Sequence, residues 1–216
     1  MKCALLLASF VLSSWASSAF SSVITPAVTG ADMAGIQVTA TFDGGFTETL
    51  VWGVTGSDAS VANSEGFSGG VTGAGWSLVQ QGNTFGDVTP TGQLLGLWTL
   101  SNFSTSDLDL LTLTIDALAG GIVFDNVFGV EETVGSSVGR PFTPDQLGVT
   151  AVYGDIYSSP DLWGNLTLAF SDFDSGSTLR FFADTDAVVP VPGSLSLLVI
   201  GMLGLIVSRR HQQSEV

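Results

Sequence analysis

The sequence predicts an all-β protein, a β-sandwich of jelly-roll type, and three observations carry that prediction. Apolar and polar residues alternate with period two in GIQVTATFDG, where Ile36, Val38, Ala40 and Phe42 share one face and Gln37, Thr39 and Thr41 the other. Short apolar runs then recur along the chain, most of them separated by Gly, Ser, Asp, Asn or Pro, and 27 glycines agree with many tight turns. No stretch between residues 20 and 187 sustains helical periodicity behind a capping residue.

The elements follow in order. After Gly44-Gly45, a hairpin-like turn, FTETLVWGV continues with Phe46, Leu50, Trp52 and Val54 on one side, so the first two runs form a hairpin. SEGFSGGVTGAG reads as the longest mobile loop, because glycine and serine dominate it. Further strands are expected in GWSLVQQ, GQLLGLWTL, LDLLTLTIDAL, GIVFDNVF, GVTAVYGDIY, NLTLAFSDF and STLRFFADT. Eight or nine such strands close a core between two sheets, a barrel being the alternative closure.

Composition limits the chemistry. The 216 residues are 45% hydrophobic and 12% charged, which allows a packed core, and carry a formal net charge of -15. Lys2, Arg209 and Arg210 lie near the ends, so only Arg140 and Arg180 oppose all the acids except Glu215. Nucleic-acid binding, which needs clustered Lys and Arg, is excluded on that ground. The one cysteine is Cys3, the one lysine Lys2 and the one histidine His211, all outside the folded region. That region therefore cannot hold a disulfide, a Ser-His-Asp triad, a histidine-ligated metal, a Walker phosphate loop or a Schiff-base lysine.

Both ends read as address labels. Lys2, an apolar run from Ala4 to Trp15 and small residues at Ser17 and Ala19 form a secretory signal over residues 1–19, cleaved after Ala19. The exported domain spans 20–187 and a tail spans 188–216. In the tail, Pro190 and Pro192 disfavour helix at its start and leave a transmembrane helix over about 193–207. By the positive-inside rule Arg209 and Arg210 hold the C-terminus in the cytoplasm, so the chain is anchored in the inner membrane at least transiently.

Val189-Pro190-Val191-Pro192, the apolar helix with Gly201 and Gly204, and Arg209-Arg210 form a three-part tail that resembles the PEP-CTERM sorting tail of Gram-negative bacteria. The resemblance implies recognition by an exosortase, a membrane-embedded cysteine protease that processes the tail and delivers the protein to the cell surface. The family's usual motif has Glu between the prolines where this chain has Val191. A permanent C-terminal anchor is the alternative reading of the same segment.

For the domain itself the expectation is a non-enzymatic surface or matrix protein without a cofactor. A pair of carboxylates is the one catalytic arrangement left open, in the manner of glycosidases. Calcium is the one cofactor alternative. Asp172 and Asp174 in DFDSGS stand two apart, with Asp184 and Asp186 further on, while Gly176 and Ala183 occupy positions where an EF-hand needs ligands. The plainer reading is a turn in which Asp caps the backbone and Gly supplies a positive φ. Extracellular polysaccharide is the candidate partner, through a patch in which Tyr153, Asp155 and Tyr157 alternate onto one face near Trp163. Trp52, Trp76 and Trp98 are assigned to the core.

Overall fold

A computed structural model of the chain describes residues 22–25, 28–60, 66–105, 108–128, 138–158 and 161–190. Ile24–Val188 form one compact unit, and Met1–Val23 with Val189–Val216 are grouped separately. Among the described residues the fold is all-β, built from antiparallel sheets, with a short 3-10 turn at Leu118–Gly120.

One sheet contains β1 (Ser22–Thr25), β2 (Gln37–Phe42), β3 (Thr47–Val51), β10 (Leu110–Asp116), β11 (Ile122–Asp125), β13 (Val149–Ser158), β14 (Leu162–Phe170) and β16 (Asp184–Pro190). The other runs β12 (Thr143–Pro144), β15 (Thr178–Phe182), β9 (Trp98–Asn102), β6 (Trp76–Gln81), β5 (Phe67–Thr72) and β4 (Gly53–Ser57). A separate two-stranded ribbon pairs β7 (Asp87–Val88) with β8 (Leu94–Leu95). Both large sheets send alternate side chains into a single core: Val38, Phe42, Leu113, Ile115, Phe124 and Leu168 from the first, and Leu78, Trp98, Leu100, Leu179 and Phe181 from the second.

The expected hairpin is present. β2 pairs with β3 from Gln37↔Val51 to Thr41↔Thr47, and Gly45, at φ 77°, donates its N–H to Phe42 O. The run after the turn is not one strand, however. Trp52 is buried at a corner, its backbone N–H donating to Ile36 O, and β4 beyond it joins the other sheet. Phe46 and Val54 are consequently exposed, while Leu50 packs on the core and Trp52 lies within it.

The expected mobile loop is corrected as well, because its FSGGVT portion is β5, paired on both sides by β4 and β6. Its glycines serve close packing. Trp52 donates Nε1–H to Gly30 O at 2.8 Å, and a Cβ on Gly69 would overlap both Gly30 O and Trp52 Nε1. Gly69→Ala is therefore expected to lower the unfolding free energy by about 3 kcal/mol, the upper end of the ordinary overpacking range, read as a fall in the urea midpoint.

β10 and β11 lie end to end along one side of β14, with the 3-10 turn between them, and β13 covers the other side of β14 over its full length. β13 is thus an edge strand. It bulges between Ile156 and Ser158, and Asp155 adopts φ 54° with its carboxylate accepting from Asn165 Nδ2 at 2.6 Å. β16 lies beside β11 in the register Ile122↔Ala187 to Asp125↔Asp184. The strand continues to Pro190, past the expected start of the tail at 188.

Candidate functional site

Where β11 and β16 meet the segment at Arg140, the fold buries three carboxylates, Asp125, Asp184 and Asp186. Asp125 and Asp184 are direct cross-strand neighbours, and Asp186 stands two residues further along β16. Arg140 bridges the strand ends, donating its N–H to Asp125 O at 3.1 Å and accepting from Asp184 N at 2.9 Å. Its guanidinium turns inward, with Nη1 donating to Phe85 O at 2.9 Å and Cζ 3.4 Å above the Phe182 ring. Gly139 is required beside it, because a Cβ there would overlap the Asp125 carboxylate.

The Asp184 carboxyl is strongly perturbed. Burial, then the charges of Asp186 and Asp125, push its pKa up to about 8, against the hydrogen bond donated by Thr84 Oγ1 at 3.0 Å. Tyr153 faces the same cluster. Its pKa is pushed up to about 12, by burial first and then by Asp125 and Asp184, while its hydroxyl oxygen accepts the Phe142 N–H at 2.7 Å. Burial lowers the pKa of Arg140, and the Asp184 charge opposes that shift.

The folded state holds the Asp184 proton up to about pH 8, whereas the unfolded chain releases it near 3.8. The resulting stabilisation is complete below the lower value and is lost as pH rises through that window, by an amount on the order of several kcal/mol. Asp184→Asn, a permanently neutral isostere, is expected to flatten this slope and to exceed the parent chain in stability at about pH 9. Urea midpoints at about pH 5 and about pH 9 read the effect directly. These carboxylates are sealed from solvent, so a pair poised to meet a substrate is not what they form.

The two acidic pairs picked out as calcium candidates fall into different surroundings. Asp184 and Asp186 belong to the buried cluster, whereas Asp172 and Asp174 are exposed and gather with Asp109. The hydrogen bond and charge of Asp172, then the charge of Asp109, raise the pKa of Asp174. Gly176, at φ 90°, closes a turn in which Ser177 N–H donates to Asp174 O at 3.0 Å. Among the described residues no group of three or more His, Cys, Asp or Glu side chains is arranged to hold a metal ion.

The aromatic patch is also redistributed. Tyr153 and Trp163 pack on the main core, 6.2 Å apart, and Tyr157 packs on the smaller cluster of Val123 and Leu162. The left-handed residue Asp155 interrupts the alternation, and the two tyrosine rings pack against different clusters. Of the sorting-motif residues, Val189 and Pro190 end β16; Ala19, Val191, Pro192, Arg209, Arg210 and the expected helix over 193–207 lie outside the described residues. Among the described residues no helix is long and apolar enough to cross a membrane.

These features define a class: an all-β protein of two antiparallel sheets over one core, with a buried acidic cluster at the joint between β11 and β16. No family model matches the chain, and no curated protein or solved structure is significantly similar to it.

Proposed function

We infer that the chain is an exported, non-enzymatic surface or extracellular-matrix protein whose C-terminal tail is processed by an exosortase-type protease. The observation that carries this reading is the position of the compact unit, Ile24–Val188, between the two address segments. Strand β1 begins at Ser22, just beyond the expected cut after Ala19, and β16 ends at Pro190, within the Val189-Pro190-Val191-Pro192 motif. Cuts after Ala19 and beyond Pro190 leave every described strand intact.

The same reading takes the two sheets as a β-sandwich of jelly-roll type. Its support is the way the chain passes repeatedly between the two sheets, at β3 to β4, β9 to β10, β11 to β12, β12 to β13, β14 to β15 and β15 to β16. It also takes 193–207 as the transmembrane helix that holds the chain in the inner membrane before processing. Cell fractionation tests the sorting step. With the exosortase present the domain is expected at the cell surface or in the medium, and without it in the inner-membrane fraction; surface delivery unaffected by loss of the enzyme contradicts the proposal.

A further inference from the structure

A groove of about 550 Å³ opens on the outer face of the six-stranded sheet. Its floor is a single cross-strand row of Val79 on β6, Thr99 on β9 and Arg180 on β15, since Val79 pairs with Thr99 and Thr99 with Arg180. Strand alternation turns these three away from the core that their neighbours Leu78, Trp98, Leu100, Leu179 and Phe181 fill. Gln93 and Leu94 of the β7–β8 ribbon, and Leu97 on the link to β9, complete the lining with Gln81.

The lining is held in place from outside the groove. Asp145 Oδ1 accepts the Arg180 backbone N–H at 3.0 Å, and Asp145 N–H donates to Arg180 O at 2.9 Å. That clamp fixes the backbone from which the guanidinium projects. Across the groove, Thr89 N–H donates to Gln93 O and Gln93 N–H to Thr89 Oγ1, which fixes the ribbon.

We propose that this groove binds a carboxylate-bearing saccharide, with Arg180 holding the carboxylate while Thr99 and Gln93 engage hydroxyls. Arg140 is turned inward on Phe85 O and the Phe182 ring, so among the described residues Arg180 is the arginine presented at the outer face. One guanidinium offers a two-pronged match to one carboxylate. A nucleic acid would need cations clustered along its backbone, and Arg180 is the arginine that lines the groove. The rest of the lining suits a neutral, hydroxyl-rich body. Gln and Thr side chains both donate and accept, as sugar hydroxyls do, and Val79, Leu94 and Leu97 meet the C–H faces of the rings. The volume lies within the range of small-ligand sites. This inference goes beyond the export reading and does not depend on how the tail is processed.

The test is calorimetric titration of the full chain in detergent micelles with trigalacturonate, maltotriose and inorganic phosphate. Trigalacturonate is expected to bind saturably and at least about tenfold more tightly than maltotriose, and Arg180→Gln to erase that difference. Arg180 is exposed, so the Arg180→Gln melting temperature is expected to match that of the parent chain. Thr99→Leu, which fills the middle of the row, gives a second route and is expected to weaken trigalacturonate binding to a similar degree. Absence of trigalacturonate binding, or binding unchanged in both variants, overturns the proposal. Phosphate bound as tightly as trigalacturonate, with the same dependence on Arg180, overturns the saccharide assignment and leaves a simple anion site.

Discussion

A chain ended at Pro190 is expected to give the far-UV spectrum and melting temperature of the full-length β-domain, and a chain ended at Ala183 is expected to be unfolded. The difference between them is β16. Without it, the backbone groups of Ile122–Asp125 that face β16 lose their partners, β1 loses its neighbour, and Val188 N–H no longer donates to Gly121 O at 2.8 Å. The buried cluster loses Asp184, Thr185 and Asp186, leaving Thr84 and Arg140 facing an open seam. Each lost hydrogen bond removes about 1 kcal/mol net, and each buried group left unsatisfied costs about 1–3 kcal/mol. Their sum is comparable with the whole stability of a domain, about 5–15 kcal/mol. A chain ended at Ala183 that still unfolds cooperatively in urea would show that β16 is dispensable.

Trp98→Ala is expected to cost about 4–5 kcal/mol, enough to bring the domain close to its unfolding threshold at ambient temperature. Trp98 is fully buried and ties the sheets together, stacked on Phe181 at 5.7 Å within its own sheet and set against Phe124 of the other at 6.2 Å. Trp52 adds a tilted contact at 5.4 Å, and Trp98 Nε1 donates to Ala183 O at 2.9 Å. Truncation removes both the packing and the indole donor to that carbonyl. Trp98→Phe retains most of the ring area and loses the donor, so a cost of about 1–2 kcal/mol separates the two contributions in urea titrations.

The parts of the fold legible in the sequence are those where one face is apolar and the other polar. The β2–β3 hairpin is legible for that reason, and the three tryptophans of the core for their size and lack of charge. β5 was hidden because Gly69 and Gly70 carry no apolar signal; their purpose is to admit the backbone at Gly30 and the Trp52 indole. β16 was not separated from β15 because STLRFFADT reads as one strand and the valines after it as tail, whereas Asp184 and Asp186 are buried beside Asp125 on a strand of their own. Only the alternation of acids with Thr and Ala, followed by β-branched valines, carried the strand signal.

The candidate sites divide in the same way. Tyr153 and Tyr157 sit on the expected strand, but which side of β13 meets the core depends on its pairing with β14 and on the left-handed Asp155. Period-two reasoning cannot see that. The groove beside Arg180 was equally out of view, since Val79, Thr99 and Arg180 are distant in sequence and become neighbours only through the β6–β9–β15 register. The charge count did single out Arg180 as one of two cations in the folded region.

The most direct test of the central claim is the intact mass of the mature protein recovered from the surface or medium of its native host. The account predicts a mass beginning at Phe20 and ending at or just beyond Pro190, so that the signal and apolar tail are gone while β1 and β16 are whole. A mature mass that retains 193–207 and Arg209-Arg210 would contradict it and make the tail a permanent anchor.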